Sequence, residues 1–260
     1  AIECSAGSTG SGNTININNN TITGCTNDLA TTSIWYGIYN TGTPTNLNVN
    51  NNTFSNNSTK ATTVSTYLIY NTGAVSGTIN MNGNNLSQAF NHTATQGGTI
   101  WYVRNNAGSL TGTLNINNNT FASVSHALTS TTAHWFIYNL ASEANTNINN
   151  NNWNNLTINS SGAFYLIYNS SSTQVALNVN NNGITTGLSR GAAPAGTLYC
   201  YYAGSSSLGT STQTISNNNF SNITATTAGT GLFYGIYTSD GAAAPYPKKE
   251  IFNNTFNNIN

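Results

Sequence analysis

The chain has 260 residues, a formal net charge of zero and only 4% charged residues, against about 25% in an ordinary globular protein. Its five basic residues, Lys60, Arg104, Arg190, Lys248 and Lys249, are scattered, which excludes a phosphate-tracking surface and with it nucleic acid as a partner. No apolar run approaches the ~18–20 residues that a membrane-spanning helix requires, so no such span is expected.

Asparagine supplies 50 of the residues, and Ser, Thr and Gly much of the rest. Such a composition usually marks a disordered, prion-like tract. Here apolar residues reach 37% and aromatics 10%, and both recur at fixed positions, so a packed core is expected. The cysteines Cys4, Cys25 and Cys200 fit no metal-ligand spacing. Cys4 and Cys25 are expected either as a disulfide near the N-terminus or as two inert thiols, and Cys200 as a packing residue. Sequons such as Asn51-Asn52-Thr53 and Asn91-His92-Thr93 arise by chance in so much Asn and Thr and carry little weight as glycosylation sites. The chain opens with Ala1 and shows no signal peptide, which suggests a removed leader or a segment of something longer.

From the N-terminus onward one unit recurs. An apolar anchor, an Asn run and a second apolar residue are found eight times, with anchors Ile17, Val49, Met81, Ile116, Ile148, Val179, Ile215 and Ile251 spaced 31 to 36 residues apart. Five positions on come Ile22, Phe54, Leu86, Phe121, Trp153, Ile184, Phe220 and Phe256. Three positions after each anchor stands Asn20, Asn52, Asn84, Asn119, Asn151, Asn182, Asn218 or Asn254, without exception.

Strand residues face one side with period two, and Ile15, Leu47, Ile79, Leu114 and Leu177 precede their anchors by two. The step from anchor to invariant Asn is odd, so the strand must turn between them. Gly83 replaces Asn in that gap, and both types tolerate φ > 0, which predicts a tight corner. The invariant Asn then points inward. A buried amide without partners costs about 1–3 kcal/mol. Identical amides stacked one per turn satisfy one another, so an asparagine ladder is expected.

A second strand follows in each repeat: Trp35-Tyr36-Gly37-Ile38-Tyr39-Asn40, Tyr67-Leu68-Ile69-Tyr70-Asn71, Trp101-Tyr102-Val103, Trp135-Phe136-Ile137-Tyr138, Tyr165-Leu166-Ile167-Tyr168, Tyr199-Cys200-Tyr201-Tyr202 and Tyr234-Gly235-Ile236-Tyr237. The column two before the Ile is aromatic in all seven copies. Between the strands lie Gly/Ser/Thr/Ala-rich stretches of variable length, as turns require.

These residues resemble the right-handed parallel β-helix superfamily, the pectate-lyase-like solenoids, and most closely the Asn-rich β-helix repeats of secreted bacterial surface proteins. The resemblance spans residues 13–260 and implies an all-β fold: a single right-handed parallel β-helix of about eight rungs. Residues 1–260 then form one domain or a segment of a longer array. Rungs about 4.8 Å apart give a rod on the order of 40 Å long.

Polysaccharide-cleaving members of that superfamily use clustered carboxylates, often with calcium and a basic residue. Here Glu3, Asp28, Glu143, Asp240 and Glu250 fall in different rungs and phases, so neither a paired-carboxylate hydrolase nor a calcium site is expected. Asp240 and Glu250 share a turn with Lys248 and Lys249 that reads as a solvated loop. His92, His126 and His134 occupy unrelated columns, and His134 takes a packing position filled elsewhere by Trp35, Phe164 and Phe233. No Ser-His-Asp grouping emerges. Catalysis, metals and cofactors are not expected.

The aromatic strand reads as apolar on both faces. Counting by twos from the Ile column assigns the all-aromatic column to the core and leaves Trp35, Tyr39, Leu68, Tyr70, Tyr102, Phe136, Tyr138, Phe164, Leu166, Tyr168, Tyr202 and Tyr237 on the other face. A stripe of this size calls for a cover: a loop of the same chain, lateral packing against a second protomer, or glycan stacking on Tyr39, Tyr70, Tyr138, Tyr168, Tyr202 and Tyr237. The first strand carries outward pairs Asn16/Asn18, Asn48/Asn50, Asn80/Asn82, Asn115/Asn117, Asn147/Asn149 and Asn178/Asn180. These rows read either as further amide ladders or as a flat polar array of the kind ice-binding solenoids use. Ile2 and Phe256–Asn260 lie in repeat register, so the rod is expected to continue, within a longer array or by end-to-end stacking.

The function expected from sequence is structural: a bacterial, secreted filament, stalk or cell-surface fibre that associates with itself. An adhesin using the Tyr stripe for glycans, and an ice-binding rod using the Asn rows, are the rival readings.

Overall fold

The computed structural model describes the chain apart from residues 1, 9–11, 28–31, 33, 60–62, 64, 88–89, 93–97, 174, 192, 205–209 and 240–245, and the side chains of 90–92 and 127–129. Asp28, Lys60, Asp240 and the His92 side chain therefore lie outside the described residues. What is described is a parallel β-solenoid with no helix, each strand pairing in parallel with its counterpart one turn away.

Four faces make up a turn. The asparagine face is an eight-stranded sheet: Thr14–Asn16, Asn46–Asn48, Thr78–Asn80, Thr113–Asn115, Asn145–Asn149, Ala176–Asn180, Thr212–Ser216 and Lys248–Phe252. The aromatic face is the second eight-stranded sheet: Ile2–Cys4, Trp35–Asn40, Thr66–Asn71, Thr99–Asn105, Ala133–Asn139, Phe164–Asn169, Leu198–Ala203 and Phe233–Thr238. Two narrower faces of two- to six-residue strands join them. About six turns, those beginning at Thr14, Asn46, Thr113, Asn145, Ala176 and Thr212, carry a strand on all four faces among the described residues. The eight sequence repeats correspond instead to the eight strands of the asparagine face, and the aromatic face adds Ile2–Cys4 ahead of its seven aromatic copies.

The corner after each anchor is where the odd step requires it. Asn19, Asn51, Gly83, Asn118, Asn150, Asn181, Asn217 and Asn253 all have φ between 54° and 65°. Asn tolerates this left-handed conformation better than other L-residues because its short side chain bonds locally. A second positive-φ corner, at Gly24, Asn56, Ser123, Asn155, Gly187, Asn222 and Asn258, was not visible in the Asn-run pattern.

Past the first corner the invariant Asn column turns inward and forms the ladder. Side-chain amides donate from Asn20 to Asn52, and on through Asn84, Asn119, Asn151, Asn182 and Asn218 to Asn254, at 2.8–3.1 Å. The second amide proton reaches the anchor carbonyl one turn back, as from Asn119 to Met81 at 2.9 Å. Each carbonyl oxygen also accepts the backbone N–H of the previous Asn, as Asn151 does from Asn119 at 3.0 Å. Every polar group of the buried amide is thereby used, which removes the desolvation cost of burying it.

Around this ladder the anchors Val49, Met81, Ile116, Ile148, Val179 and Ile215 stack with Phe54, Leu86, Phe121, Trp153, Ile184 and Phe220, all 0–1% exposed. Gly37 is glycine because an added Cβ would lie 2.4 Å from the Phe54 ring.

Of the two alternatives open for Cys4 and Cys25, the structure has free thiols and no disulfide. Cys4 occupies the register position of Asn40 on the aromatic sheet, while Cys25 aims its Sγ at the Thr23 carbonyl. Lys248, Lys249 and Glu250 are not a loop but the last strand of the asparagine face, where Lys248 and Glu250 form an exposed ion pair at 2.6 Å.

Candidate functional site

The aromatic strands do not keep period two. In Thr66–Asn71 both Leu68 and Ile69 are buried while Tyr67 and Tyr70 are half-exposed, and Leu68 is skipped in the pairing register. The same doubled inward step recurs at Tyr102–Val103, Phe136–Ile137, Leu166–Ile167 and Cys200–Tyr201. Residues two before and one after the Ile column therefore share the outward face. This reverses the expected assignment of the all-aromatic column.

Two outward columns result. The first runs Tyr36, Tyr67, Trp101, Trp135, Tyr165, Tyr199 and Tyr234, and the second Tyr39, Tyr70, Arg104, Tyr138, Tyr168, Tyr202 and Tyr237. Phe164, expected outside, is 1% exposed and sits in an inward column with His134 and Leu198. Trp35 starts that column and packs against the core. Leu68, Tyr102, Phe136 and Leu166 also belong to the core.

The rings stack along the rod. Centroid separations in the first column are 4.8 Å for Trp101–Trp135, 4.0 Å for Trp135–Tyr165 and 4.8 Å for Tyr165–Tyr199. In the second they are 4.7 Å for Tyr138–Tyr168 and for Tyr168–Tyr202, with planes within 13°. Within one turn Tyr165 and Tyr168 are edge-to-face at 85°, whereas Tyr36 and Tyr39 lie parallel at 12°. Ring faces are thus largely occupied by other rings, and edges and hydroxyls meet solvent. Burial in this stack pushes the Tyr138 hydroxyl up to about 12 and raises those of Tyr36, Tyr70, Tyr165 and Tyr199.

Arg104 interrupts the second column where Tyr stands elsewhere. Its guanidinium carbon lies 4.2 Å from the Trp101 ring centre, 4.9 Å from Tyr70, 5.2 Å from Tyr138 and 5.3 Å from Tyr67. Nε donates to Asn106 Oδ1 at 2.9 Å and Nη1 to Tyr67 Oη at 3.1 Å. Asn106 in turn donates to Tyr70 Oη at 2.9 Å. Cation–π contact holds the side chain in place, but no carboxylate neutralises it among the described residues.

Behind this face runs a second inward ladder that sequence reasoning missed. Amides donate from Asn40 to Asn71, Asn105, Asn139 and Asn169 at 2.8–3.1 Å. Its signal was an Asn directly after the second outward column from Tyr39 to Tyr168, with Cys4, Ala203 and Thr238 in the outer turns. Glu143, 1% exposed, flanks it midway, accepting from Asn105 at 2.9 Å and from Asn139 at 3.3 Å. Desolvation outweighs these donors and raises its carboxyl to about 8. Deeper still, Tyr102 Oη lies 3.4 Å from His134 Nδ1, and His134 Nε2 lies 3.3 Å from His126 Nδ1. Burial lowers His126 to about 4. No group of three or more His, Cys, Asp or Glu side chains converges among the described residues.

Comparison with protein-family models, curated proteins and solved structures finds no match. The two outward Asn rows, for their part, bond to themselves. Asn48, Asn80, Asn115, Asn147 and Asn178 each donate a side-chain amide to the row member one turn back at 2.7–2.9 Å. In the other row the Oδ1 of Asn18, Asn50, Asn82, Asn117 and Asn149 accepts the next member's backbone N–H at 2.8–2.9 Å.

Proposed function

We propose that this chain is a non-catalytic structural unit of an extracellular filament, stalk or surface fibre, lengthening by continuation of its sheets and packing laterally through its aromatic face. One observation carries this reading. Turn after turn, the recurring side chains (two inward amide ladders, two outward amide rows and two ring columns) bond mainly to their own counterparts in the adjacent turns. Such an arrangement propagates a stack and leaves few groups for a substrate. The low charge opposes close association only weakly. The repeat's resemblance to Asn-rich solenoids of secreted bacterial surface proteins fits the same role and an extracellular setting.

The glycan-platform reading draws less support, because sugar stacking needs free ring faces and these are filled by neighbouring rings. The ice-binding reading is weakened in the same way by the self-bonded Asn rows. Negative-stain electron microscopy of the purified protein tests the proposal. Fibres of constant width are expected. Dispersed short rods at all concentrations would sink it.

A further inference from the structure

Among the described residues, the outward columns of the aromatic face carry two charged side chains, Glu3 and Arg104. Both stand in the second column: Glu3 is in register with Tyr39, Tyr39 with Tyr70, and Tyr70 with Arg104. Three turns separate them, roughly 14 Å at about 4.8 Å per turn, so they cannot pair within one chain. Glu3 is exposed and in no ion pair among the described residues. Among the described residues, the Nη2 group of the half-exposed Arg104 has no hydrogen-bond partner.

We infer that the aromatic face docks a second, antiparallel copy of this chain about a two-fold axis that lies in the interface, along the strands, between the turns of Tyr39 and Tyr70. The inference rests on the lateral packing proposed above and specifies its partner, direction and register. A rotation about such an axis sets each column against itself with the turn order reversed. Tyr39 then faces Tyr70 of the second copy, and Glu3 faces Arg104. By symmetry the pair forms twice, as an isologous contact requires. The carboxylate meets the unused edge of the guanidinium fork, a geometry suited to two parallel hydrogen bonds. Parallel copies in matching register bring no Glu3 to Arg104.

The rest of the face suits the same partner. Tyr, Trp and Arg are the side chains enriched at protein interfaces, and charge is depleted there apart from this pair. The four turns from Glu3 to Arg104, on a strand about 20 Å wide, cover on the order of 400 Å² per copy, below the ~800 Å² per partner of a stable dimer. This patch alone is therefore weak, and repetition along stacked rods is what strengthens it.

A charge-swap cycle tests the register. Wild type, Arg104→Glu, Glu3→Arg and the double variant are compared by sedimentation at low salt, with thermal melting to confirm folding and Arg104→Tyr as a variant that restores the ring column. Each single charge reversal is expected to weaken self-association by about tenfold, and the double variant to recover most of that loss. Arg104→Tyr should fold and associate more weakly than wild type. Unchanged association in the folded single variants, or a double variant no better than either single, overturns the inference. So does a wild-type monomer at all concentrations, or one that instead binds a soluble neutral glucan equally well in all four proteins. Microscopy separates this outcome from the broader reading: long fibres without charge-swap behaviour remove only the register, while charge-swap pairing without fibres removes only the filament.

Discussion

Asn119 shows what one buried amide does in this stack. It donates to Asn151 Oδ1 and to the Met81 carbonyl, and its own Oδ1 accepts both the backbone N–H and the side-chain amide of Asn84. Asn119→Leu strands donors on Asn84 and acceptors on Met81 and Asn151 at once. The expected loss is about 3–5 kcal/mol, read from urea denaturation; an unchanged midpoint contradicts a satisfied interior ladder. Trp153 gives the opposite case. Its indole Nε1 is buried without a hydrogen-bond partner, in a column where Phe54, Phe121 and Phe220 are fully buried. Trp153→Phe removes an unsatisfied donor at the price of some packed volume, so the melting temperature is expected to hold within a few degrees or to rise. A loss of 3 kcal/mol or more would show that the donor is satisfied after all.

At the scale of the element, the corners decide where each strand ends. Asn118 has φ 58°, a conformation that costs most L-residues about 1–2 kcal/mol and a β-branched side chain more. Asn118→Gly is expected to be close to neutral, as Gly83 already is at the equivalent corner, and Asn118→Val to destabilise by about 2 kcal/mol. Equal melting temperatures for the two variants would mean that the corner is held by something other than backbone preference. The aromatic strand makes a related point. Its doubled inward step buries two consecutive residues and turns the residues on either side of them outward, so two columns of mostly aromatic side chains line the surface.

The whole molecule's stability carries two opposed titrations. Glu143 is raised from the usual 4.5 to about 8 by desolvation, so the folded state keeps a proton that the unfolded state releases. Its penalty is absent below about pH 4.5, grows as pH rises and is complete above about pH 8. His126 is lowered from 6.5 to about 4, also by desolvation, so the unfolded state takes up its proton first. That penalty is absent above about pH 6.5 and complete below about pH 4. Each amounts to a few kcal/mol at about 1.4 kcal/mol per pKa unit. Stability is expected to rise as pH falls from 8 to 6.5, to level between 6.5 and 4.5 where the two slopes cancel, and to drop below that. Guanidinium unfolding across pH checks the profile. Glu143→Gln should flatten the alkaline arm alone; an arm that persists in that variant assigns the titration to another group.

Sequence by itself determined the repeat, the parallel stack, the positive-φ corner after each anchor and the inward Asn column, whereas the second corner and the four faces came only with the structure. The features read from sequence follow from spacing, because a solenoid places residues one turn apart in direct contact and identical side chains then meet. The corner was legible because Gly83 substitutes for Asn where only φ > 0 unites the two. What spacing could not reveal was which side of the aromatic strand faces out. The period-two rule holds only for an unbroken strand, and the doubled step at Leu68–Ile69 shifts the phase by one residue. For the same reason Phe164 moved inward, Tyr67 and its column moved outward, and Arg104 emerged on a ring surface rather than among scattered charges. Only the tertiary structure set Glu3 and Arg104 in one column, since their sequence separation of three repeats becomes meaningful through the register of four paired strands.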